Sequence, residues 1–449
     1  MTMKDLIKKR INEEDGTLTV FMTLILVSMM AFLLILIDMS RVTTAKNYAE
    51  DATRLAVNTV LSDYDTDLRR EYGLFAFRDD ISARAYDTVA GSIGGNNMVN
   101  LSVKSVNVER DPAYILGNQT ILKGQIMDTM KYMYEYTDII EDIEIDKIYL
   151  DLSDGVGERF ENLRKEDLDK EEEERQKRIA ENELKLVEEG DGPENLSDTT
   201  DEGGDAGDTE SDEERLKHEK EEKRFGNAMK RITRAEDLLS DIDETLYAVN
   251  KRSDAFVLAG YVKGFFSGEY NTSEFKLNGQ PMGGDSRDRD YIIYGNEEDS
   301  FTEDLRDILF YIEVSRLTAA AEQASGERMT VDEILSRAEK LEDEAYEELI
   351  SGKYINIGKD SNRCRLSYDS FEFILLTKGC MKDETGVIGR TKEVIERNMQ
   401  AMGDGGFSLD SIYTKAYIEA EFKAESSYID TFFGETGIED TTMKGVAVY

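Results

Sequence analysis

The chain has 449 residues, enough for two or three ordinary domains. Asp and Glu number 96 against 55 Lys and Arg, a formal net charge of −41. That balance excludes a surface built to grip nucleic-acid phosphates, and it excludes a polybasic membrane-surface module. One histidine and two cysteines cannot make an ordinary structural zinc site.

Residues 1–15 read as a short charged tail carrying Lys4, Lys8, Lys9 and Arg10. Leu18 to Ile37 then runs LTVFMTLILVSMMAFLLILI without a charge. Roughly 20 residues at about 1.5 Å each match a hydrocarbon core about 30 Å thick. A buried soluble helix would carry a polar stripe, and here only Thr19, Thr23 and Ser28 interrupt the apolar run. Lys and Arg are more frequent before the run than after it, where Arg41 and Lys46 lie close. The positive-inside rule therefore predicts a cytoplasmic N-terminus and an external body. A cleavable secretory signal is the rival, but the run is long for a signal core and no A-x-A site follows it. Asp38 and Arg41 sit one helical turn apart at the exit, in a position to pair and pin helix depth.

The helical pattern continues past the apolar run. Ala45, Ala49, Ala52 and Ala56 recur at three- and four-residue spacing, a stripe of small residues suited to close helix packing against partner helices. Nothing breaks it before Ser62, so residues 16–62 are predicted to form one rod of transmembrane helix and extension. Gly73 closes the next helical piece, and Leu74, Phe75 and Phe77 form an apolar plug. Leu101–Val108 alternates and predicts a strand. Pro112 separates it from a helix over 119–144.

Residues 156–188 predict a helix charged nearly all round. The segment 188–214 is Gly-, Asp-, Glu-, Ser- and Thr-rich with almost no apolar surface, which predicts disorder. It lacks the D-x-[DN]-x-[DN]-G pattern of a calcium loop. The helices on either side, 158–187 and 212–252, are predicted to pair as a hairpin with this tip. His218 lies in RLKHEKEEKR on a solvated face, which leaves no partner for Ser-His-Asp, Cys-His or histidine-based metallohydrolase chemistry.

Further on, Phe256–Phe266 is predicted to end a helix, 277–282 to be turn-rich and Tyr291–Tyr294 (YIIY) to be a short strand closed by Gly295. Helices are expected at 301–324, 330–351, 366–380 and 387–402. Period-two alternation predicts a long strand over Ser408–Phe422 and a last one at Gly445–Tyr449. The fold class is therefore α+β, predominantly helical. A long N-terminal transmembrane helix continues into an extracellular helical body with a small mixed sheet and a charged helical hairpin. That sheet would tie 101–108 to the C-terminus across the hairpin. The expected divisions are 1–15, 16–62, 63–155, 156–252 and 253–449.

Catalytic signatures are missing from the sequence. There is no phosphate loop and no G-x-S-x-G elbow. Gly91–Gly95 (GSIGG) follows no clear strand and reads as a loop. Carboxylate pairs are expected by chance in so acidic a chain, and the Tyr clusters (YMYEY, YIIY) read as core and interface. Cys364 and Cys380 could form one disulfide or remain two thiols, because spacing alone does not fix the Cα distance. No enzymatic activity, cofactor or metal is expected.

Two stretches carry a resemblance: DGTLTVFMTLILVSMMAFLLILIDMSRV, and then AEDATRLAVNTVLSDYDTDLRREYGLFAF. Together they resemble the N-terminus of TadE/TadG-like proteins of tight-adherence (Tad) pilus systems. More closely they resemble a Gram-positive family of membrane-anchored proteins found with Tad-type loci. FVLAGYVKGFFSGEY, RDYIIYGNEED and LSYDSFEFILL with RTKEVIERNMQ are similar to later blocks of that family, so the likeness covers most of the chain except the acidic insert. It implies a pilus- or secretion-associated structural protein without enzymatic activity. Its partners would be membrane lipid and other Tad-type subunits through the N-terminal helix. Pilin-like precursors of this kind carry glycine at the cleavage site and glutamate five residues later. Here Gly16 is present, but Phe21 stands in the glutamate's place, so an uncleaved anchor is expected. The alternative is a ligand-binding or sensory ectodomain coupled to a partner through its membrane helix.

Overall fold

A computed structural model describes residues 3–78, 81–94, 101–132, 155–188, 212–240, 242–269, 285–296, 300–324, 328–357, 364–403, 405–424 and 441–448. The fold is α+β and predominantly helical, as the sequence predicts. It divides into two compact units. Unit 1 combines the chain's two ends, residues 1–126 and 395–449, and unit 2 comprises residues 127–394 inserted between them. The dividing points therefore fall inside helices, not at the expected 155/156 and 252/253 boundaries. Sequence composition changes at the charged hairpin, but packing does not.

Unit 1 begins with α1 (Met3–Ser62), a single helix of 60 residues. It starts earlier than the predicted rod. The tail is rich in Lys, Glu and Arg, which favour helix, and Gly16 does not interrupt it. Short α2 (Thr66–Tyr72) follows. Asp65 caps it, accepting from the Asp67 and Leu68 amides, and Gly73 closes it at φ 67° in the left-handed region that glycine tolerates. Then come α3 (Ile81–Ile93), β1 (Leu101–Arg110) and α4 (Gln119–Tyr132). Nothing in the sequence reading anticipated α3, and Gly91 lies inside it. The expected continuation of α4 to 144 lies outside the described residues.

Unit 2 contains α5 (Val156–Glu188), α6 (Asp212–Leu239), α7 (Ile242–Asn250), α8 (Asp254–Phe265) and α9 (Asp288–Tyr294). It continues with α10 (Phe301–Gln323), α11 (Val331–Ile350), the hairpin of β2 (Ile355–Ile357) and β3 (Cys364–Leu366), and α12 (Tyr368–Lys382). The last helix, α13 (Glu384–Ala401), leads back into unit 1. β4 (Lys415–Ala424) and β5 (Thr441–Val448) end the described chain.

α5 and α6 pair antiparallel where they join the bundle. Phe160 stacks on Phe225 at 5.6 Å, and the Gly157 amide donates to Glu236 at 3.1 Å. Their bases pack with α10 and α11 around Phe310, Val314, Ile334 and Leu335. Beyond that core the outer turns of α5 carry exposed i,i+4 pairs such as Glu173–Lys177 and Glu174–Arg178. The predicted disordered tip lies almost wholly outside the described residues, as does the turn at 277–282.

Three strand or helix expectations are corrected. Tyr291–Tyr294 is the end of helix α9, not a strand: Asp288 and Asp290 stand in its first turn, where the dipole favours them, and Gly295 closes it at φ 74°. Phe256–Phe266 ends a helix as predicted, but the helix before it is broken. The predicted 212–252 helix stops at Leu239, and α8 is capped afresh by Ser253. The strand predicted from Ser408 begins only at Lys415, because Leu409–Ser411 forms a 3-10 turn under a Ser408 cap.

The sheet in unit 1 has the order β1-β4-β5 and is antiparallel throughout, not mixed. β1 pairs with β4 from Leu101↔Ala424 to Arg110↔Ala416 with one bulge between Val103 and Ser105. It joins the first third of the chain to its C-terminus, as predicted.

Candidate functional site: the long apolar helix and its seat on the sheet

Between Leu18 and Ile37, α1 is covered by side chains that face outward. Leu18, Phe21, Leu24, Val27, Met30 and Phe32 each expose more than half of their surface. α1 is the one helix among the described residues long and apolar enough to cross a membrane. The Thr23 and Ser28 hydroxyls within this run are satisfied by the helix itself. The Thr23 hydroxyl donates to the Val20 carbonyl and the Ser28 hydroxyl to Ile25, both at 2.8 Å. In hydrocarbon an unsatisfied hydroxyl would cost several kcal/mol, so this local bonding suits a lipid environment.

The surroundings change at Asp38. Its side chain is 1% exposed and stands 4.0 Å from Arg41. The expected exit pair therefore exists, but its carboxylate is enclosed by the chain and not presented to water. Above it, Ala45, Ala49, Ala52 and Ala56 are all buried. Ala49, Ala52 and Ala56 pack on Phe77, Ile81, Ala85 and Val89 and on the inner face of β4, Ala416, Ile418, Ala420 and Phe422. Alanine on the helix meets alanine on the strand, which lets the backbones approach closely. Thr53 joins this face by returning its hydroxyl to the Ala49 carbonyl.

This corrects the sequence reading. The small-residue stripe is real, but the chain's own sheet and α3 fill it, so it is not available to partner helices. Period and residue size identify a packing face without saying which element packs there. Of the other predicted residues, Gly16 lies within continuous helix and Phe21 is exposed. Cys380 is a free, fully buried thiol, so the disulfide alternative with Cys364 is not realised. Burial raises its pKa, away from thiolate chemistry.

The sequence reading missed a second polar feature, buried in unit 2. Lys263 of α8 is 2% exposed and donates to Asp369 at 2.7 Å and to Glu372, both on α12. Arg289 of α9 donates to Glu372 at 2.8 Å, to the Phe266 carbonyl at 2.8 Å and to the Lys263 carbonyl at 2.7 Å. Burial pushes the Glu372 carboxyl up, but Arg289 and then Lys263 outweigh it and hold it below its ordinary range. Arg231 of α6 bridges Asp307 at 2.6 Å and Glu342 at 2.9 Å, and Arg234 reaches Asp304 at 2.7 Å. Charges so fully matched are suited to fixing helix register. A catalytic carboxylate or lysine would need an open face toward substrate. Alternation and helix periodicity are blind to such pairs, because a buried Lys and a surface Lys look alike in sequence.

The clefts have the same character. One of about 890 Å³ lies between α5 and the start of α11, and its two arginines are engaged: Arg159 with Glu322, Arg328 with Glu166 and Asp167. No group of three His, Cys, Asp or Glu among the described residues is placed to hold a metal ion. No protein-family model, curated protein or solved structure matches the chain.

Proposed function

We propose that this chain is a single-pass, membrane-anchored structural protein, uncleaved at Gly16. Its N-terminus is cytoplasmic and its body extracellular, and it serves a Tad-type pilus or secretion apparatus as an accessory or pseudopilin-like component. The observation that carries this reading is the largely exposed apolar surface of α1 from Leu18 to Ile37, directly continuous with a helix bolted to the body's sheet. The mechanism is placement. Burial of roughly 20 apolar residues in lipid holds the anchor. The packed upper half of α1 passes that fixed position to the sheet without a flexible joint. Unit 2, inserted in the same fold, presents a strongly acidic body. The resemblance of the anchor and later blocks to Tad-associated proteins supplies the choice of apparatus.

The experiment is site-specific photocrosslinking in cells. Partners must meet the outward face of α1, so the probe belongs at Tyr48 or Leu55, which are 45% and 48% exposed, and not at the enclosed Ala52. Capture of Tad-type subunits is expected. Capture of none, with pilus assembly intact in a strain lacking this protein, would remove the proposal in favour of a sensory ectodomain.

A further inference from the structure

The covered face of α1 does not begin where the apolar run ends. It follows one line down the helix: Ala56, Ala52, Ala49, Ala45, Val42 and Asp38, and then Ile35, Leu34 and Ala31. Ile35, Leu34 and Ala31 are partly buried. Their neighbours on the other faces, Leu33, Leu36 and Ile37, remain 50%, 46% and 49% exposed. A bare helix shows no such sidedness, so the chain's own body covers this face.

The level of that cover can be placed. Val60 packs in the same core as Phe77, which bridges to Tyr413 just before β4. The ten residues of β4 span about 33 Å. The roughly 22 helical residues from Val60 back to Asp38 span about the same. The far end of β4 and the start of β5 therefore stand level with Asp38, consistent with the packing of α1 along β5. Ala31 lies about 9 Å below Ile37 along the helix axis. The membrane boundary cannot be moved down to Ala31 to avoid the overlap. Such a shift would leave roughly 14 apolar residues, about 20 Å, for a core of about 30 Å. It cannot slide the other way either, because Glu13, Glu14 and Asp15 precede Gly16.

We infer that the body is seated in the bilayer and not held above it. The body reaches past the level of Asp38 into the leaflet on its side and shields one face of α1 from lipid, from Asp38 down to Ala31. The partner of this surface is the acyl and headgroup region of that leaflet. The arrangement explains how Asp38 tolerates its position: an ionisable side chain at the edge of hydrocarbon is expected to face protein, and this one does. It also gives the body a second contact with the membrane, so the helix cannot swivel freely beneath it.

This inference rests on the anchor reading, and the test separates the two. The chain has no tryptophan, so one introduced residue reports alone. The full chain is reconstituted in phosphatidylcholine vesicles containing lipids brominated at a defined acyl depth. Single variants Leu33→Trp, Leu34→Trp, Ile35→Trp, Leu36→Trp and Ala31→Trp are compared, with protease resistance of the body as a check on folding. Strong quenching at 33 and 36 with loss of quenching at 34, 35 and 31 is expected. Ala31→Trp reads the same face one turn lower, so a misfit of the larger ring at 34 does not decide the result. Equal quenching at all five positions overturns the seated body and leaves the anchor intact. No quenching at any position overturns the anchor itself.

Discussion

Asp290 shows how much a single buried carboxyl can contribute. It accepts the Phe301 amide at 3.0 Å at the start of α10, and burial pushes its carboxyl up to about 6 from 3.8. The folded state thus binds this proton more tightly than the unfolded chain. Its contribution is greatest below about pH 4, falls as pH rises to about 6 and is flat above. Asp290→Asn keeps an acceptor for the amide and removes the titration. Relative to the parent it should gain about 2 kcal/mol between pH 4 and 6, read as the difference between denaturation midpoints across pH. Glu372 is the opposite case. Glu372→Ala would leave Lys263 and Arg289 buried without their shared anion, and a loss of about 3–5 kcal/mol is expected in urea denaturation of the detergent-solubilised chain. Neither residue stands out in the sequence. A carboxylate among 96 gains its meaning only from the helices that enclose it.

Helices α1, α10, α11, α12 and α13 were legible because each is a long run of mainly helix-favouring residues with no proline inside it. Thr330 even forms a full capping box with Glu333. Short elements were not. YIIY has strand-like residues, yet a four-residue apolar run does not distinguish strand from helix, and the two aspartates before it decide the matter. The alanine stripe sharpens the same lesson. Its spacing identified a packing face, while its partner, a strand more than 350 residues later in the chain, was beyond any local pattern. That packing makes a direct prediction. Ala52→Leu or Ala56→Leu should overpack the contact with β4 and α3 and cost about 1–3 kcal/mol. Tyr48→Ala and Leu55→Ala on the outward face should change stability by less than about 0.5 kcal/mol. Thermal melts in detergent compare the four.

At the scale of the molecule, unit 1 is assembled from the two ends of the chain, and it carries the long apolar helix α1. The predicted link from 101–108 to the C-terminus stood on alternation alone, and the structure realises it as β1-β4-β5. What composition suggested as boundaries, the edges of the charged hairpin, belong instead to unit 2. A further consequence follows for the C-terminus. Deleting residues 441–449 removes β5, which packs on α1 and pairs with β4 along its length. The anchor should remain in the membrane, but the base of the body should become open to limited proteolysis near Ala45–Ala56.

The most direct measurement is alkaline extraction of membranes carrying the full chain and a variant lacking residues 2–37. The account predicts that the full chain stays with the lipid pellet and that the shortened chain moves to the supernatant as a folded acidic protein. A shortened chain that still sediments with lipid through extraction, or a full chain released by it, would contradict the anchor.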